Sequence, residues 1–158
     1  RQAPELTEQD VCPIVQRVGA YFRHRTSSRV TIMVSVPPQA VTARVNAPLL
    51  EWVFENLCKN AIDAMQGAGN LTLTLKESAI VEKRKRYLRV EVSDTGKGIA
   101  KNHFQRVFKP GFTTKRRGWG LGLSLAKRIV EEYHHGRIYV LASEVGQGTT
   151  FAVDIEQC

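Results

Sequence analysis

The sequence predicts an α/β fold of the α+β type, a two-layer sandwich in which helices cover one face of a β-sheet. Segments with helical spacing of apolar residues occur beside segments in which apolar and polar residues alternate, and the two kinds do not follow strict strand–helix–strand order. The chain has 158 residues, of which 42% are apolar and 24% are charged. Because this length and composition suit one core, we expect a single domain over residues 1–158.

Helices are predicted in three segments. Residues 11–24 place their apolar side chains on one face. Asn46 is a suitable N-cap for a second helix, which runs to about Met65 and ends before two glycines. Residues 121–134 form the third, with a set of leucine, isoleucine and valine side chains turned inward.

Strands are predicted where apolar residues alternate with polar ones, at residues 30–36, 41–45, 71–75, 87–92, 137–141 and 149–155. The third and fourth of these are expected to form one hairpin, and the last two another. Residues 102–107 are expected to form at most a short helical turn, and residues 108–122 a long mobile loop.

The charge distribution favours a polyanionic ligand. The chain carries 23 Lys and Arg and 15 Asp and Glu, a formal net charge of +8. Residues 95–130 contain nine basic residues and no acidic one, whereas the rest of the chain carries 14 basic and 15 acidic residues. The positive excess therefore lies in one segment. A second basic cluster, residues 83–86, is interpreted as a solvated hairpin tip rather than a partner-docking patch.

Composition excludes several classes of protein. No run of about 18 apolar residues is present, so the sequence predicts no membrane-spanning helix. Cys12, Cys58 and Cys158 are too few and too widely spaced to indicate a zinc site or a disulfide framework, which fits a reducing cytosol. The chain begins with Arg1 and shows no apolar signal segment, so we expect it to be a fragment of a longer protein.

The second predicted helix carries a polar stripe. Asn56, Asn60 and Asp63 follow i, i+4, i+7 spacing, which puts them on one helix face. One interpretation is a solvated face. The other is a set of oxygen ligands for a hard cation such as Mg²⁺, which combines few protein ligands with water and phosphate oxygens. Glu55 would add a carboxylate able to polarise an attacking group.

Two glycine-containing segments are candidates for binding a nucleotide. Asp94 follows a strand, and Gly96 and Gly98 allow the backbone to approach a ligand closely, although a plain turn has the same pattern. Residues 118–122 open the third helix, where free N–H groups and the helix dipole favour phosphate. The segment is neither a Walker A loop nor a Rossmann fingerprint.

In this order, four motifs resemble the N box, first glycine box, F box and second glycine box of sensor histidine kinases: Asn56-Leu57-x-x-Asn60-Ala61, Asp94-x-Gly96-x-Gly98, Phe108-Lys109-Pro110-Gly111-Phe112-Thr113-Thr114-Lys115 and Gly118-x-Gly120-Leu121-Gly122-Leu123. Residues 146–151 resemble the last strand of the same domain, so the resemblance extends over about residues 46–155. It implies the catalytic and ATP-binding domain, with the Bergerat fold shared by gyrase, Hsp90 and MutL-type ATPases. That fold has a mixed sheet of about five strands covered by three helices.

The resemblance implies ATP and Mg²⁺ as cofactors. Asn60 matches the Mg²⁺ ligand, and Glu55 and Asn56 match the catalytic residues beside it. Asp94 matches the residue that binds the adenine amino group, supported by Gly98 and by Thr150 through a water. The cofactor-binding residues implied by the motifs are Asn56, Asn60, Asp94, Gly96, Gly98, Lys115, Gly118, Gly120, Leu121, Gly122 and Thr150.

Phe108 and Phe112 match the residues that anchor a lid over the nucleotide. Two positions depart from the family pattern. Gly111 stands where an aromatic residue is common, which predicts a looser lid, and Trp119 stands where a small residue is usual.

The implied function is transfer of the γ-phosphate of ATP to a histidine on a separate dimerisation segment, in two-component signal transduction. The acceptor of the family is a His followed by an acidic residue, and none of the four histidines has this context: His24, His103, His134 and His135. The last two precede a glycine at a predicted helix C-terminus, where a cationic side chain is favoured.

Expected partners are the phosphoacceptor helices of the parent protein and the receiver domain of a response regulator. We expect a monomeric cytoplasmic domain of a bacterial protein, with no nucleic-acid or membrane contact of its own, in a parent compatible with membrane anchoring.

Two other functions stay open. An ATP-gated conformational ATPase of the gyrase, Hsp90 or MutL type has the same fold, but its N box normally begins with Glu four residues before the Asn, where this sequence has Asn56. A basic nucleic-acid-binding module would show steeply salt-dependent DNA affinity without ATP. A helical pair with a His-acidic motif in the adjoining sequence would support the kinase.

Overall fold

The computed structural model describes residues 3–82, 84–112 and 122–158, with the backbone alone for residues 78–82. Its strands are β1 (Thr7–Asp10), β2 (Val30–Ser35), β3 (Thr42–Val45), β4 (Gly69–Glu82), β5 (Lys85–Asp94), β6 (Arg137–Glu144) and β7 (Gly148–Glu156). Its helices are α1 (Cys12–Arg25), α2 (Ala47–Ala64) and α3 (Gly122–Arg128). Two 3₁₀ turns, Lys101–His103 and Arg106–Phe108, follow β5, and a π-helical segment, Ile129–Tyr133, extends α3.

Five of the strands form one mixed sheet in the order β2-β4-β5-β7-β6. β2 runs parallel to β4, and the other neighbouring pairs are antiparallel. β1 and β3 form a separate two-stranded antiparallel sheet. The predicted sandwich of about five strands and three helices is thereby confirmed, as are the two predicted hairpins.

One face of the large sheet forms the core with the helices. Along β5, Leu88, Val90 and Val92 are buried, while the residues between them are partly exposed. On α2, which contacts β5, Phe54 and Leu57 are fully buried. Each such side chain contributes about 1.5–3 kcal/mol when it leaves water, so α2 is firmly held against the sheet.

Local sequence sets both ends of α2. The side-chain oxygen of Asn46 accepts a hydrogen bond from the Leu49 N–H at 3.1 Å, as expected of an N-cap. At the other end, the Met65 N–H donates to the Ala61 carbonyl at 3.1 Å, and the chain turns away at Gly67, whose φ is +79°. The predicted helix is confirmed at both ends.

Three features differ from the sequence prediction. β1 lies in a polar segment without alternation, and it forms because its backbone pairs with β3. The third helix is not continuous over residues 121–134, because its geometry changes from α to π at Ile129. Of the predicted loop at residues 108–122, the structure describes residues 108–112 and residue 122; Trp119 lies outside the described residues.

His134 is not the cationic residue expected at this helix end. It is 6% exposed, and its Nε2 accepts a hydrogen bond from the Asn46 N–H at 3.1 Å. Its Nδ1, which must then carry the proton of the neutral ring, donates to the Ile129 carbonyl at 2.9 Å. Burial lowers the pKa of His134 more than the hydrogen bond to Ile129 raises it, and the charge of His135 lowers it further. The neutral ring joins the end of the third helix to the start of α2.

We predict that His134→Ala lowers the free energy of unfolding by about 1–3 kcal/mol near neutral pH, because the partly buried Asn46 N–H loses its acceptor. A protonated imidazole cannot accept that bond. Since the pKa of His134 is lowered on folding, the wild type loses this stabilisation as the pH falls below the ordinary value of 6.5, and the gap between the two proteins narrows. Urea unfolding at about pH 7.5 and about pH 5 measures it. The control is His24→Ala, which removes an exposed histidine. If the difference in free energy of unfolding between the wild type and His134→Ala is the same at both pH values, the assignment is contradicted.

Candidate functional site

Asn56, in the polar stripe of α2, contacts the start of α3. Its side chain is 9% exposed, whereas Asn60 is partly exposed and Asp63 is exposed. A Cβ on Gly122, the first residue of α3, would lie 2.5 Å from the Asn56 Oδ1. A solvated face therefore does not account for Asn56, and the structure brings the first and last of the four motifs together.

Oxygen atoms on the stripe and at the neighbouring Glu55 suit a hard cation. Glu55, Asn56 and Asn60 supply a carboxylate and two amides from consecutive turns of one helix. Within the described ranges, no group of three or more His, Cys, Asp or Glu side chains is arranged to hold a metal ion. A cation here would need further oxygens from water and a ligand, and Mg²⁺ binds in this way. The residues present therefore fit Mg²⁺ held jointly with phosphate.

Asp94, the last residue of β5, is a buried carboxylate held by backbone donors. It is 6% exposed, and its Oδ1 accepts a hydrogen bond from the Gly96 N–H at 2.8 Å. Burial raises the pKa of Asp94, while hydrogen bonds from the backbone of Gly96 and Thr149 act in the opposite direction. A carboxylate in such a position can accept a hydrogen bond from a ligand donor with little competition from water.

Backbone hydrogen bonds fix the loop after Asp94 on two sides. The Lys97 N–H donates to the carbonyl of Ala64, at the end of α2, at 3.0 Å. The Lys97 carbonyl accepts from the Gly146 N–H, in the turn between β6 and β7, at 2.8 Å. A Cβ on Gly96 would lie 2.6 Å from the Ala64 carbonyl oxygen, so the first glycine of the loop is required by packing against α2.

The second glycine of the loop brings the chain against the β6–β7 turn. Gly98 has φ +77°, and a Cβ on it would overlap the backbone carbonyl of Glu144. The next residue, Ile99, donates its N–H to the Ser143 Oγ at 2.7 Å. Ser143 is a site residue that the sequence did not indicate, because its position depends on the pairing of β6 with β7.

The structure places Thr150 on the face of the sheet opposite Asp94. Thr150 pairs with Ser93, and their hydroxyl oxygens lie 2.9 Å apart. Because side chains alternate along a strand, Asp94 and Thr149 lie on the helix-covered face. There Thr149 is buried and its backbone bonds to the Asp94 carboxylate. The predicted support of Asp94 by Thr150 is corrected to Thr149, since two adjacent threonines cannot be told apart without the strand register.

Two aromatic rings hold the described start of the lid segment. Phe108 is buried and packs edge-on against Phe151, with ring centroids 5.9 Å apart. Phe112 is partly buried and packs edge-on against His103 at 5.4 Å. Between them Gly111 has φ +80°, a conformation that an aromatic residue adopts only with strain. The glycine at this position is therefore suited to the turn that the chain makes here.

The remaining predicted site residues lie outside the described residues: Lys115, Gly118, Gly120 and Leu121. Of the three glycines in the second glycine box, the structure describes Gly122, which contacts Asn56. The phosphate contacts of the segment therefore stay predictions from the motif.

The model of the histidine kinase-, DNA gyrase B-, and HSP90-like ATPase family matches residues 45–157. The chain belongs to this family. Sporulation kinase E of Bacillus subtilis is 39% identical over 106 residues, which are 67% of this chain and 13% of that kinase. The chain spans between 13% and 35% of the length of the first curated relatives it matches.

Solved structures of family members have the same fold. The catalytic domain of histidine kinase ThkA superposes with a TM-score of 0.83 at 25% identity, covering 98% of this chain and 97% of that domain. Full-length ShkA superposes with a TM-score of 0.81 at 27% identity, covering 99% of this chain and 32% of ShkA. The resemblance to the catalytic domains of sensor histidine kinases is confirmed.

We predict that Gly96→Ala lowers the free energy of unfolding by about 1–3 kcal/mol, because the new Cβ would meet the backbone of Ala64, which cannot move without shifting the end of α2. The matched control is Gly122→Ala. Among the described residues, its Cβ would meet the side-chain amide of Asn56, which can rotate, so its loss should be smaller. Urea unfolding of both variants gives the comparison. Equal losses would show that the contact with α2 does not constrain the loop.

Proposed function

We propose that this chain is the catalytic and ATP-binding domain of a sensor histidine kinase, which binds Mg·ATP and transfers the γ-phosphate to a histidine on a separate dimerisation segment. The observation that carries the proposal is the buried carboxylate of Asp94, held by backbone donors. Membership of the ATPase family supports ATP as the nucleotide. The curated relatives are named as kinases, which favours phosphotransfer over the alternative of an ATP-gated conformational ATPase.

In the proposed complex, Asp94 accepts a hydrogen bond from the exocyclic amine of adenine. The backbone donors from Gly96 and Thr149 orient the carboxylate before the ligand arrives. Since water has little access to a residue that is 6% exposed, the bond to the base is made in a low-dielectric surrounding. Gly98 supports the site by letting the loop lie against the β6–β7 turn.

Asn60 and Asn56 would hold Mg²⁺, with Glu55 beside them to orient or polarise the attacking imidazole. When bound, Mg²⁺ neutralises charge on the transferring phosphate. Lys115 and the backbone of residues 118–122 would bind the phosphates, on the strength of their motif alone. Phosphoryl transfer depends mainly on positioning and charge stabilisation, so each of these contacts should affect the rate strongly.

The phosphoacceptor histidine is proposed to lie on another segment of the parent protein. His134 uses both ring nitrogens in hydrogen bonds within the fold, and no histidine of the chain is followed by an acidic residue. The partners would be the phosphoacceptor helices and, downstream, the receiver domain of a response regulator. None of the helices in the described ranges is long and apolar enough to cross a membrane. We propose that the domain acts in the bacterial cytoplasm.

Calorimetric titration tests the nucleotide site. Full-length ShkA has been solved in complex with AMPPNP, which makes this compound a suitable probe. The proposal expects one AMPPNP per chain, bound more tightly with Mg²⁺ than with EDTA. No binding under either condition would refute it.

Phosphotransfer is tested on the full parent protein, which is incubated with γ-labelled ATP. Acid-labile label on histidine supports the kinase. Hydrolysis of ATP without labelled protein supports the ATP-gated conformational ATPase.

We predict that Asp94→Asn abolishes AMPPNP binding and raises the free energy of unfolding near neutral pH. Asn keeps an acceptor for the Gly96 N–H but removes the buried charge. Because the pKa of Asp94 is raised on folding, the wild type is favoured at low pH and loses that contribution as the pH rises, so the variant's advantage should shrink toward the ordinary value of 3.8. Calorimetry and urea unfolding measure the two effects. Retained binding would remove Asp94 from the proposed base site.

We predict that Asn60→Ala weakens AMPPNP binding by at least about tenfold with Mg²⁺ and little with EDTA, because the side chain acts through the metal. The control is Asn70→Ala, an exposed asparagine on β4, which should leave both affinities unchanged. An equal loss with and without Mg²⁺ would contradict the metal role.

A further inference from the structure

Ser143, at the end of β6, makes three hydrogen bonds beside the proposed base site. Its Oγ accepts from the Ile99 N–H at 2.7 Å and donates to the Gly148 carbonyl at 3.0 Å. The same oxygen lies 2.7 Å from the Thr149 Oγ1. Ser143 therefore connects the loop that follows Asp94 to the threonine whose backbone holds the Asp94 carboxylate.

A β-bulge brings Ser143 to this face of the sheet. The register between β6 and β7 shifts between Val140 and Ala142, leaving Leu141 as the extra residue, 39% exposed. With regular alternation from Val140, which is buried in the core, Ser143 would lie on the opposite face. Bulges next to functional sites often redirect a side chain in this way.

The number of protons decides which hydroxyl donates. A serine or threonine hydroxyl carries one proton and two lone pairs. Ser143 gives its proton to the Gly148 carbonyl, so the proton between the two hydroxyls must come from Thr149. The Thr149 oxygen then has only lone pairs left for a ligand. The carboxyl group of Asp94 lies on the same face and also accepts hydrogen bonds, as its bond from the Gly96 N–H shows.

We propose that Ser143 is a positioning residue that makes the site selective for a base with an exocyclic amine. Because the Ser143 oxygen accepts the hydrogen bond of the Thr149 hydroxyl, two hydrogen-bond acceptors, Thr149 and Asp94, face the base. Adenine offers an amine there, whereas hypoxanthine offers a keto oxygen that would find no donor, which is costly for buried polar groups. The inference rests on the proposed function, in which Asp94 lies at the base-binding site.

The test is the ratio of affinities for ATP and ITP, measured by calorimetry at saturating Mg²⁺ on the whole chain. The wild type should prefer ATP. In Ser143→Ala the Thr149 hydroxyl can turn its proton toward a keto oxygen, so the preference should fall by about fivefold or more. Ser143→Thr, which keeps a hydroxyl, should restore it. An equal weakening of both nucleotides would mean that Ser143 acts only by holding Ile99, and would overturn the proposal.

Thr149→Val provides the second arm of the test. It should lose preference for ATP, and adding Ser143→Ala to it should leave the ratio unchanged, because the effect passes through the Thr149 hydroxyl. A further change in the double variant would overturn the proposal. If Ser143→Ala fails to fold by circular dichroism, Thr149→Val decides alone, and an unchanged preference there counts against it. A wild type that binds neither nucleotide refutes the proposed function itself, whereas a wild type that prefers ATP with a ratio insensitive to Ser143→Ala refutes only this inference.

Discussion

The hydrogen bond from the Lys97 amide to the Ala64 carbonyl is the contact on which the rest of the site depends. It ties the loop after β5 to the end of the buried helix α2, while the Gly146 amide holds the same residue from the other side. Backbone groups make both bonds, so the loop is fixed whatever side chain Lys97 carries. Asp94 and the polar stripe of α2 are therefore held in one arrangement before any ligand binds, which reduces the ordering cost of binding.

The site is maintained at some cost to the stability of the fold. Burial raises the pKa of the Asp94 carboxyl, and the backbone donors of Gly96 and Thr149 offset this in part. At Gly122, a side chain that would favour the helix would displace the side-chain oxygen of Asn56 from its present position. Both features lower the stability of the fold, and such features are typical of a site that must present hydrogen-bond acceptors to a ligand. By contrast, His134 is buried with both nitrogens paired, and we assign it a structural role.

Much of the fold could be predicted from the sequence because its signals are local. The N-cap at Asn46 and the apolar periodicity set α2, and alternation set the hairpins. The order of the four motifs predicted which segments form the site, and the structure brings two of them together at Asn56 and Gly122. Three features could not be predicted, because they depend on contacts between distant segments: the bulge at Leu141, the choice between Thr149 and Thr150, and the neutral state of His134. Strand register and burial decide each of them.

The most direct test of a preformed site is amide hydrogen exchange in the nucleotide-free protein, measured residue by residue by NMR. The account predicts that the Lys97 and Gly146 amides are protected to a degree comparable with the amides of β5 and β7, and that AMPPNP adds little to this protection. If these two amides exchange at the rates of exposed loops until nucleotide is added, the loop is ordered by its ligand, and the central claim of a prearranged site is contradicted.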